Sequence, residues 1–126
     1  MQRSVLIVDD FEYNLEFEEK VIRSLAKETN KEISVDVAAT VAEAMEKINN
    51  NQSYDAMVID MRLPDGTGDE IALAARKKNK HTRIAALTIY PSEYSSHQEL
   101  FDLLWRKPIM PMTYKEKFKA LLRLDE

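Results

Sequence analysis

The chain has 126 residues, the length of one ordinary domain, and 44% of them are hydrophobic, which is enough to form a core. The formal net charge of −4 argues against nucleic-acid binding through a basic surface, and no apolar run approaches the roughly 20 residues of a membrane span. There is no cysteine for a disulfide or a thiolate metal site, and we identify no signal peptide. We therefore expect a single cytoplasmic domain over residues 1–126.

The charge is unevenly distributed along the sequence. Acidic residues gather near the start, at Asp9, Asp10, Glu12, Glu16, Glu18 and Glu19, and basic residues near the end, at Arg106, Lys107, Lys115, Lys117, Lys119 and Arg123. We interpret each group first as a solvated helix face, the usual setting of such residues. The alternative is an acidic ion site near the start and a basic docking face near the end.

Strand-like and helix-like segments alternate along the chain, which is typical of a parallel α/β sheet. Strands are predicted at Ser4–Asp9, Ile33–Ala38, Ala56–Asp60, Arg83–Ile89 and Leu103–Lys107. Helices are predicted at about Asn14–Ala26, from Val41 to Ile48, and at about Asp69–Lys78. The predicted fold is a three-layer α/β sandwich with five strands and five helices.

Capping signals mark the starts of two helices. Thr40 and Glu43 form a capping box before the second helix, and Thr113 and Glu116 form another before the last helix, which is expected to bury Phe118, Leu121 and Leu122. Between Ser92 and Leu103, Ser96 with Glu99 would cap a further helix, although that helix would lead directly into the fifth strand. Trp105 is interpreted as a core residue packed on the last helix, and His81 and His97 as surface residues.

Carboxylates follow two of the predicted strands. Asp9 and Asp10 come after an apolar run, and Asp60 ends a second run fifty residues later. If these strands are parallel neighbours, the three carboxylates emerge at the same edge of the sheet, where they repel one another unless they share a cation. Oxygen ligands in this number favour Mg²⁺.

Two more polar side chains are expected at the same edge. Thr88 lies near the end of the fourth strand, and Lys107 ends the fifth, directly before Pro108. Phosphoryl transfer needs an in-line nucleophile and neutralisation of the phosphoryl oxygens. Mg²⁺ and Lys107 would supply positive charge and Thr88 a hydrogen bond, so this set of residues predicts phosphate chemistry.

Together, these motifs resemble the receiver domain of two-component response regulators. The matching pieces are Val8-Asp9-Asp10, the segment from Tyr54 to Asp60, Leu63-Pro64 with Gly68, Thr88, and Lys107-Pro108. They occur in the family's order and with similar spacing over essentially the whole chain. The resemblance implies a flavodoxin-like αβα sandwich whose five parallel strands have the order 2-1-3-4-5.

The resemblance also implies the role of each acidic residue. Asp60 is the expected phosphoacceptor, which takes a phosphoryl group from a histidine kinase. Asp10, Asp60 and the backbone carbonyl of Arg62 are the expected Mg²⁺ ligands, while Asp9 holds the ion directly or through water. Such a protein is not an enzyme in the usual sense, because it catalyses only its own phosphorylation and dephosphorylation.

The remaining implied roles belong to Thr88 and Lys107. Thr88 is expected to bind a phosphoryl oxygen, and Lys107 to pair with Asp60 at rest and with the phosphoryl group afterwards. The Lys107–Pro108 bond is expected to be cis, as it often is in the family. The expected partners are a histidine kinase or phosphotransfer protein and either a downstream protein or an output domain absent from this sequence, with a monomer or a phosphorylation-dependent dimer as the assembly.

The chain departs from the family's pattern at its switch position. Most receivers carry Phe or Tyr three residues before the strand-five lysine, where this chain has Leu104. We therefore expect a modified output face or a weak switch. Arg62 and Tyr90, each two residues after a site residue, should flank the path of attacking water and slow loss of the phosphoryl group.

Two other functions remain open at this stage. A pseudo-receiver would keep these residues and act as a protein-interaction module, with weak or no switching. A small Mg²⁺-dependent phosphatase is less well matched, since its two aspartates are usually separated by one residue, whereas Asp9 and Asp10 are adjacent.

Overall fold

The computed structural model describes residues 2–50, 53–90, 92 and 98–123. The strands are β1 (Gln2–Val8), β2 (Glu32–Ala38), β3 (Ala56–Asp60), β4 (Arg62–Leu63), β5 (Gly66–Thr67), β6 (Arg83–Thr88) and β7 (Leu103–Arg106). The α-helices are α1 (Glu12–Thr29), α2 (Val41–Asn50), α3 (Gly68–Lys78) and α4 (Pro111–Leu121), and a 3₁₀ turn covers Gln98–Leu100. The expected further helix lies largely outside these residues, as do Ser96 and His97.

The main sheet is parallel and has the order β2-β1-β3-β6-β7. Numbered within that sheet, the order is 2-1-3-4-5, so the predicted topology is confirmed. The register pairs Val8 with Ile59, and Thr88 with Arg106. Strands β1, β3, β6 and β7 therefore end close to one edge, and the residues that follow them meet there.

Two hydrophobic clusters cover the opposite faces of the sheet. Alternate residues of β1 serve both, since Val5 and Ile7 pack towards α1 and α4 while Leu6 and Val8 pack towards α2 and α3. Trp105 is buried against Tyr114 of α4, with ring centroids 5.4 Å apart and an interplanar angle of 76°. The three-layer arrangement and the core position of Trp105 are both confirmed.

Helix α1 is longer than predicted at both ends. It continues to Thr29, whose hydroxyl donates to the Leu25 carbonyl at 2.8 Å, and Asn30 ends it in the left-handed region with φ of 53°. Asn tolerates this conformation well, so Thr29 is the last residue of the helix and Asn30 is its C-cap.

The predicted start of the last helix is wrong. Helix α4 begins at Pro111 with Met110 as its N-cap, so Thr113 and Glu116 already lie inside the first two turns. Proline suits this first position because its φ is helical and its missing N–H would have no helical acceptor. Phe118, Leu121 and Leu122 are buried as expected.

The predicted cap of α2 is confirmed and has an additional partner. The Glu43 N–H donates to the Thr40 hydroxyl at 3.0 Å, and the Ala39 N–H donates to the Glu43 carboxylate at 3.3 Å. Asp65, from the turn between β4 and β5, accepts from the N–H groups of Val41 and Ala42 at 2.7 and 3.0 Å. This contact fixes the loop that follows β3 to the start of α2.

In the part of the chain that the structure describes, no helix combines the length and the apolarity required to cross a membrane.

Candidate functional site

Asp9 lies at the end of β1 and is completely buried. One of its carboxylate oxygens accepts from the Phe11 N–H at 3.0 Å, and the other accepts from the Asn14 side-chain amide at 3.3 Å. Phe11 is the N-cap of α1, and its N–H is free because the first N–H groups at a helix start have no helical acceptor, while Asn14 lies in the first turn of that helix. Asp10, next in the chain, is exposed and makes no hydrogen bond to any residue that the structure describes.

Asp60 ends β3 and is 7% exposed. Its carboxylate accepts from the Arg62 N–H at 3.1 Å, which holds the side chain at the edge of the sheet. The loop beyond returns close to this backbone at Gly68, where a Cβ would lie 2.7 Å from the Asp60 carbonyl oxygen. A larger residue at position 68 would therefore displace the strand end that carries Asp60.

Lys107 joins the two buried carboxylates. Its Nζ lies 3.1 Å from Asp9 Oδ2 and 3.0 Å from Asp60 Oδ2, and it follows β7 directly. The Lys107–Pro108 bond is cis, as expected. The resemblance implied the contact of Lys107 with Asp60 but not its second contact, with Asp9.

Burial and charge act in opposite directions on the pKa values of this pair. Burial raises the pKa of Asp60 above its usual value, and the ammonium of Lys107 offsets only part of that rise. Burial alone would lower the pKa of Lys107, but the charges of Asp9 and Asp60 outweigh it and raise the pKa. Lys107 therefore keeps its positive charge well above neutral pH.

Thr88 and Tyr90 approach the same edge from β6. Thr88 is buried, and its hydroxyl oxygen accepts from the Tyr90 N–H at 2.9 Å. The guanidinium of Arg62 lies 4.0 Å from the centre of the Tyr90 ring, a cation–π contact. The two positions predicted to flank the path of water are therefore in contact with each other, one from each neighbouring strand end.

Leu104, the departure from the family's pattern, is half-buried on the face of the sheet that packs against α2 and α3. The aliphatic side chain fills space there without a ring to rotate. His81 is exposed, as predicted.

Glu18 contradicts the prediction that the early acidic run is a solvated helix face. Glu12 and Glu16 are exposed, but Glu18 is 1% exposed and lies among the core residues of α1. The spacing of Leu15, Glu18 and Ile22, which places all three on one side of a helix, was a signal that could have revealed this. Glutamate is typical of protein surfaces, and for that reason Glu18 was not predicted to be buried.

The carboxylates fit the divalent ion that the sequence predicted. Asp9, Asp10 and Asp60 each offer an oxygen within 4.8 Å of the other two, and the Lys107 ammonium contacts Asp9 and Asp60. Oxygen donors with excess negative charge are the ligand set that Mg²⁺ prefers. The expected contribution of the Arg62 carbonyl stays a prediction.

Comparisons with known proteins point to one family. The sequence profile of the response regulator receiver domain matches residues 5–103. The response regulator protein PilR of Pseudomonas aeruginosa is 32% identical over 129 aligned residues, which cover 98% of this chain but 27% of PilR. The photosynthetic apparatus regulatory protein RegA of Rhodobacter capsulatus is 35% identical over 88 residues, or 70% of this chain and 44% of RegA. This chain thus spans less than half of either relative.

The fold gives the same answer. A response regulator receiver domain protein (CheY-like) from Methanospirillum hungatei has a TM-score of 0.85 and 25% identity, and the match covers 98% of this chain and 95% of that one. The family profile covers most of the chain, and five of the residues that match the family's motifs lie at strand ends, as expected: Asp9, Asp10, Asp60, Thr88 and Lys107. The chain belongs to the response regulator receiver domain family.

Proposed function

We propose that this domain is a phosphoacceptor, in which Asp60 receives a phosphoryl group from a histidine kinase or phosphotransfer protein in a Mg²⁺-dependent reaction. The observation that carries the proposal is the double contact of Lys107 with Asp9 and Asp60 beside a third, exposed carboxylate. Asp10 would only add repulsion to a purely structural ion pair, whereas it would be a ligand in a metal site.

Asp60 supplies the nucleophile. One of its carboxylate oxygens attacks the phosphorus of a phosphohistidine, so that a P–O bond forms as the P–N bond breaks. The electron pair of the P–N bond goes to the imidazole nitrogen, which leaves as neutral imidazole when the other ring nitrogen carries a proton. A bound Mg²⁺, held by Asp9, Asp10 and Asp60, would neutralise charge on the phosphoryl oxygens.

Lys107 and Thr88 act on the transferred group. The Lys107 ammonium is already 3.0 Å from Asp60 and carries its charge throughout the neutral range, so it follows the phosphoryl oxygens without proton transfer. The Thr88 hydroxyl, now hydrogen-bonded to the Tyr90 N–H, is expected to turn towards a phosphoryl oxygen. Hydrolysis of the acyl phosphate then restores the resting contacts.

The output is a shift between two conformations, which a partner protein or an attached output domain reads in the cytoplasm. The relatives PilR and RegA are both longer than this chain and are named as regulators. With Leu104 in place of an aromatic residue, we expect the change in β7 to be small. The domain itself would catalyse only its own phosphorylation and dephosphorylation.

The test is treatment with acetyl phosphate, followed by intact mass measurement. Wild type should gain one phosphoryl group with Mg²⁺ and none with a chelator, and Asp60→Asn should gain none under either condition. Glu16→Gln, a change at an exposed acid of α1, is the matched control and should behave as wild type. Equal modification of Asp60→Asn would refute the assignment of the acceptor, and an inert wild type would favour the pseudo-receiver.

A further inference from the structure

Glu18 is a buried acid that the proposed reaction does not use. It lies on the side of α1 that packs against α4, and neither of its carboxylate oxygens has a hydrogen-bond partner among the residues that the structure describes. The hydroxyl of Tyr114 on α4 is equally buried and equally unpartnered. The two groups are close enough to influence each other electrostatically, although they do not meet the distance and angle of a hydrogen bond.

A carboxylate in this position is unstable as an anion. Transferring a charged group from water to an apolar interior without donors is costly, so the group binds a proton instead. Burial raises the pKa of Glu18 to about 8, well above 4.5, and the neighbouring Tyr114 hydroxyl lowers it only in part. At neutral pH Glu18 is therefore mostly uncharged.

Charged groups at the ends of three strands act on the pKa of Glu18 through their electrostatic fields. Asp9 from β1 and Asp60 from β3 oppose its ionisation, and Lys107 from the end of β7 favours it, while Tyr114 faces it from α4. Glu18 and Lys107 also line the same cleft, of about 460 Å³, which lies between α1 and the segment that leads into α4. The oxygens of Glu18 are themselves shielded from solvent, so water screens these interactions weakly.

We propose that Glu18 is a positioning residue for Lys107, whose neutral carboxyl leaves the ammonium between Asp9 and Asp60, and whose ionisation draws the ammonium towards α1. This inference rests on the proposed function, since the position of Lys107 matters for phosphoryl transfer. It assigns a role in the reaction to a residue that touches neither the acceptor nor the phosphoryl group.

The pH dependence has a definite sign. As the pH rises through about 8, Glu18 releases its proton to solvent and becomes a fourth carboxylate near Lys107. The extra charge competes for the ammonium and repels the incoming phosphoryl group, so transfer slows. Lys107 does not lose its own charge in this range, because its pKa is raised above 10.5.

The kinetic test compares initial rates of modification by acetyl phosphate, at saturating Mg²⁺, between about pH 6.5 and pH 9. Wild type and Glu16→Gln should slow by about tenfold relative to Glu18→Gln as the pH rises across this range. Any pH dependence that Glu18→Gln retains belongs to other groups. Identical profiles for the three proteins would overturn the proposal.

A second measurement uses the metal-free wild-type protein and needs no phosphorylation. Carbon NMR should show the Glu18 carboxyl and the Lys107 side chain shifting together near pH 8, and the Lys107 step should vanish in Glu18→Gln. If no variant is phosphorylated at any pH, the proposed function fails while this titration still decides the role of Glu18. The inference would be overturned if the Glu18 carboxyl is ionised at neutral pH, or if the Lys107 carbon shifts do not change when Glu18 titrates.

Discussion

Buried acids at the carboxyl edge of the sheet have hydrogen-bond donors, whereas the buried acid in the interior between α1 and α4 has none among the described residues. Asp9 at the edge is 0% exposed and Glu18 in the interior is 1% exposed, although they are only nine residues apart. Asp9 accepts hydrogen bonds from a backbone N–H, an amide and an ammonium, whereas neither oxygen of Glu18 accepts one from any residue within the described ranges. Burial alone therefore does not decide how unfavourable a carboxylate is at a given position, because the donors within reach of its oxygens also matter.

The difference follows from where backbone donors are free. Strand ends and helix starts leave N–H groups without partners, and Asp9 and Asp60 both accept from such groups. The middle of α1 has no free N–H group, since each donates along the helix. An acid placed there depends on side chains, and its neighbours in that cluster are largely apolar.

The largest expected effect comes from removing the cation at the edge. Lys107→Ala leaves Asp9 and Asp60 buried without an ammonium and should lower the free energy of unfolding by about 3 kcal/mol in metal-free buffer. Added Mg²⁺ should recover part of this loss, because it binds the same carboxylates. Urea unfolding with and without Mg²⁺ measures both effects. Lys117→Ala, at an exposed lysine of α4, is the control, and an equal loss in the two variants would contradict the edge's dependence on Lys107.

The second largest effect is expected on the pH dependence of stability when Glu18, the acid buried between α1 and α4, is replaced. The folded-state pKa of Glu18 is raised, so its contribution to stability is fully present below pH 4.5 and is lost as the pH rises through about 8. Glu18→Gln lacks this loss and should gain roughly 2–3 kcal/mol relative to wild type between about pH 6 and pH 9. Urea unfolding at the two pH values tests it, with Glu16→Gln as the control. A pH-independent difference would show that Glu18 in the folded protein is already ionised at about pH 6, as it is in the unfolded chain.

Asp65 sharpens the comparison from a third setting, because it is exposed but has two backbone donors at the start of α2. Those bonds lower its pKa, so its contribution should be present above the unfolded pKa and lost as the pH falls through the folded value. Asp65→Ala should lower the free energy of unfolding, by less than either change above alters it, and should speed amide exchange at Val41 and Ala42 several-fold. Hydrogen exchange by NMR measures this, and Glu46→Ala, at an exposed acid within α2, should leave both amides unchanged.

The smallest effect is expected from the Arg62–Tyr90 contact beside the site. Arg62, which follows β3, stacks on Tyr90, which follows β6, and the pair should hinder water approaching a phosphorylated Asp60. Tyr90→Ala should shorten the lifetime of the acyl phosphate about threefold, a change in barrier below about 1 kcal/mol. Decay after removal of acetyl phosphate measures it by mass, with the exposed Tyr13→Ala as a control. An unchanged lifetime would mean that this pair does not shield the site.

The positions of the edge residues could be predicted from the sequence because they depend on regular geometry. Parallel strands bring their carboxyl ends to one edge, so the placement of Asp9, Asp60, Thr88 and Lys107 follows from the strand assignments together with the strand order that the resemblance implied. The cap at Thr40 depends on neighbours three residues apart and was equally accessible. Roles that depend on a bound ion or a phosphoryl group stay predictions.

What could not be predicted depends on contacts distant in the sequence or on a residue type in an unusual setting. The partners of Asp65 lie more than twenty residues away, so no local pattern indicates them. Glu18 was assigned to the surface from its charge, although its spacing from Leu15 and Ile22 places it on the buried stripe of α1. The start of α4 was misplaced because the capping pattern at Thr113 outweighed the signal from Pro111.

The most direct test of the central claim is a crystal structure of the domain with Mn²⁺ and beryllofluoride, a mimic of the phosphoryl group. We predict an anomalous Mn²⁺ peak against Asp10 and Asp60, beryllium bonded to an Asp60 carboxylate oxygen, and Lys107 Nζ on a fluoride. An unmodified Asp60 with Lys107 still placed between Asp9 and Asp60, or an ion bound elsewhere, would contradict it.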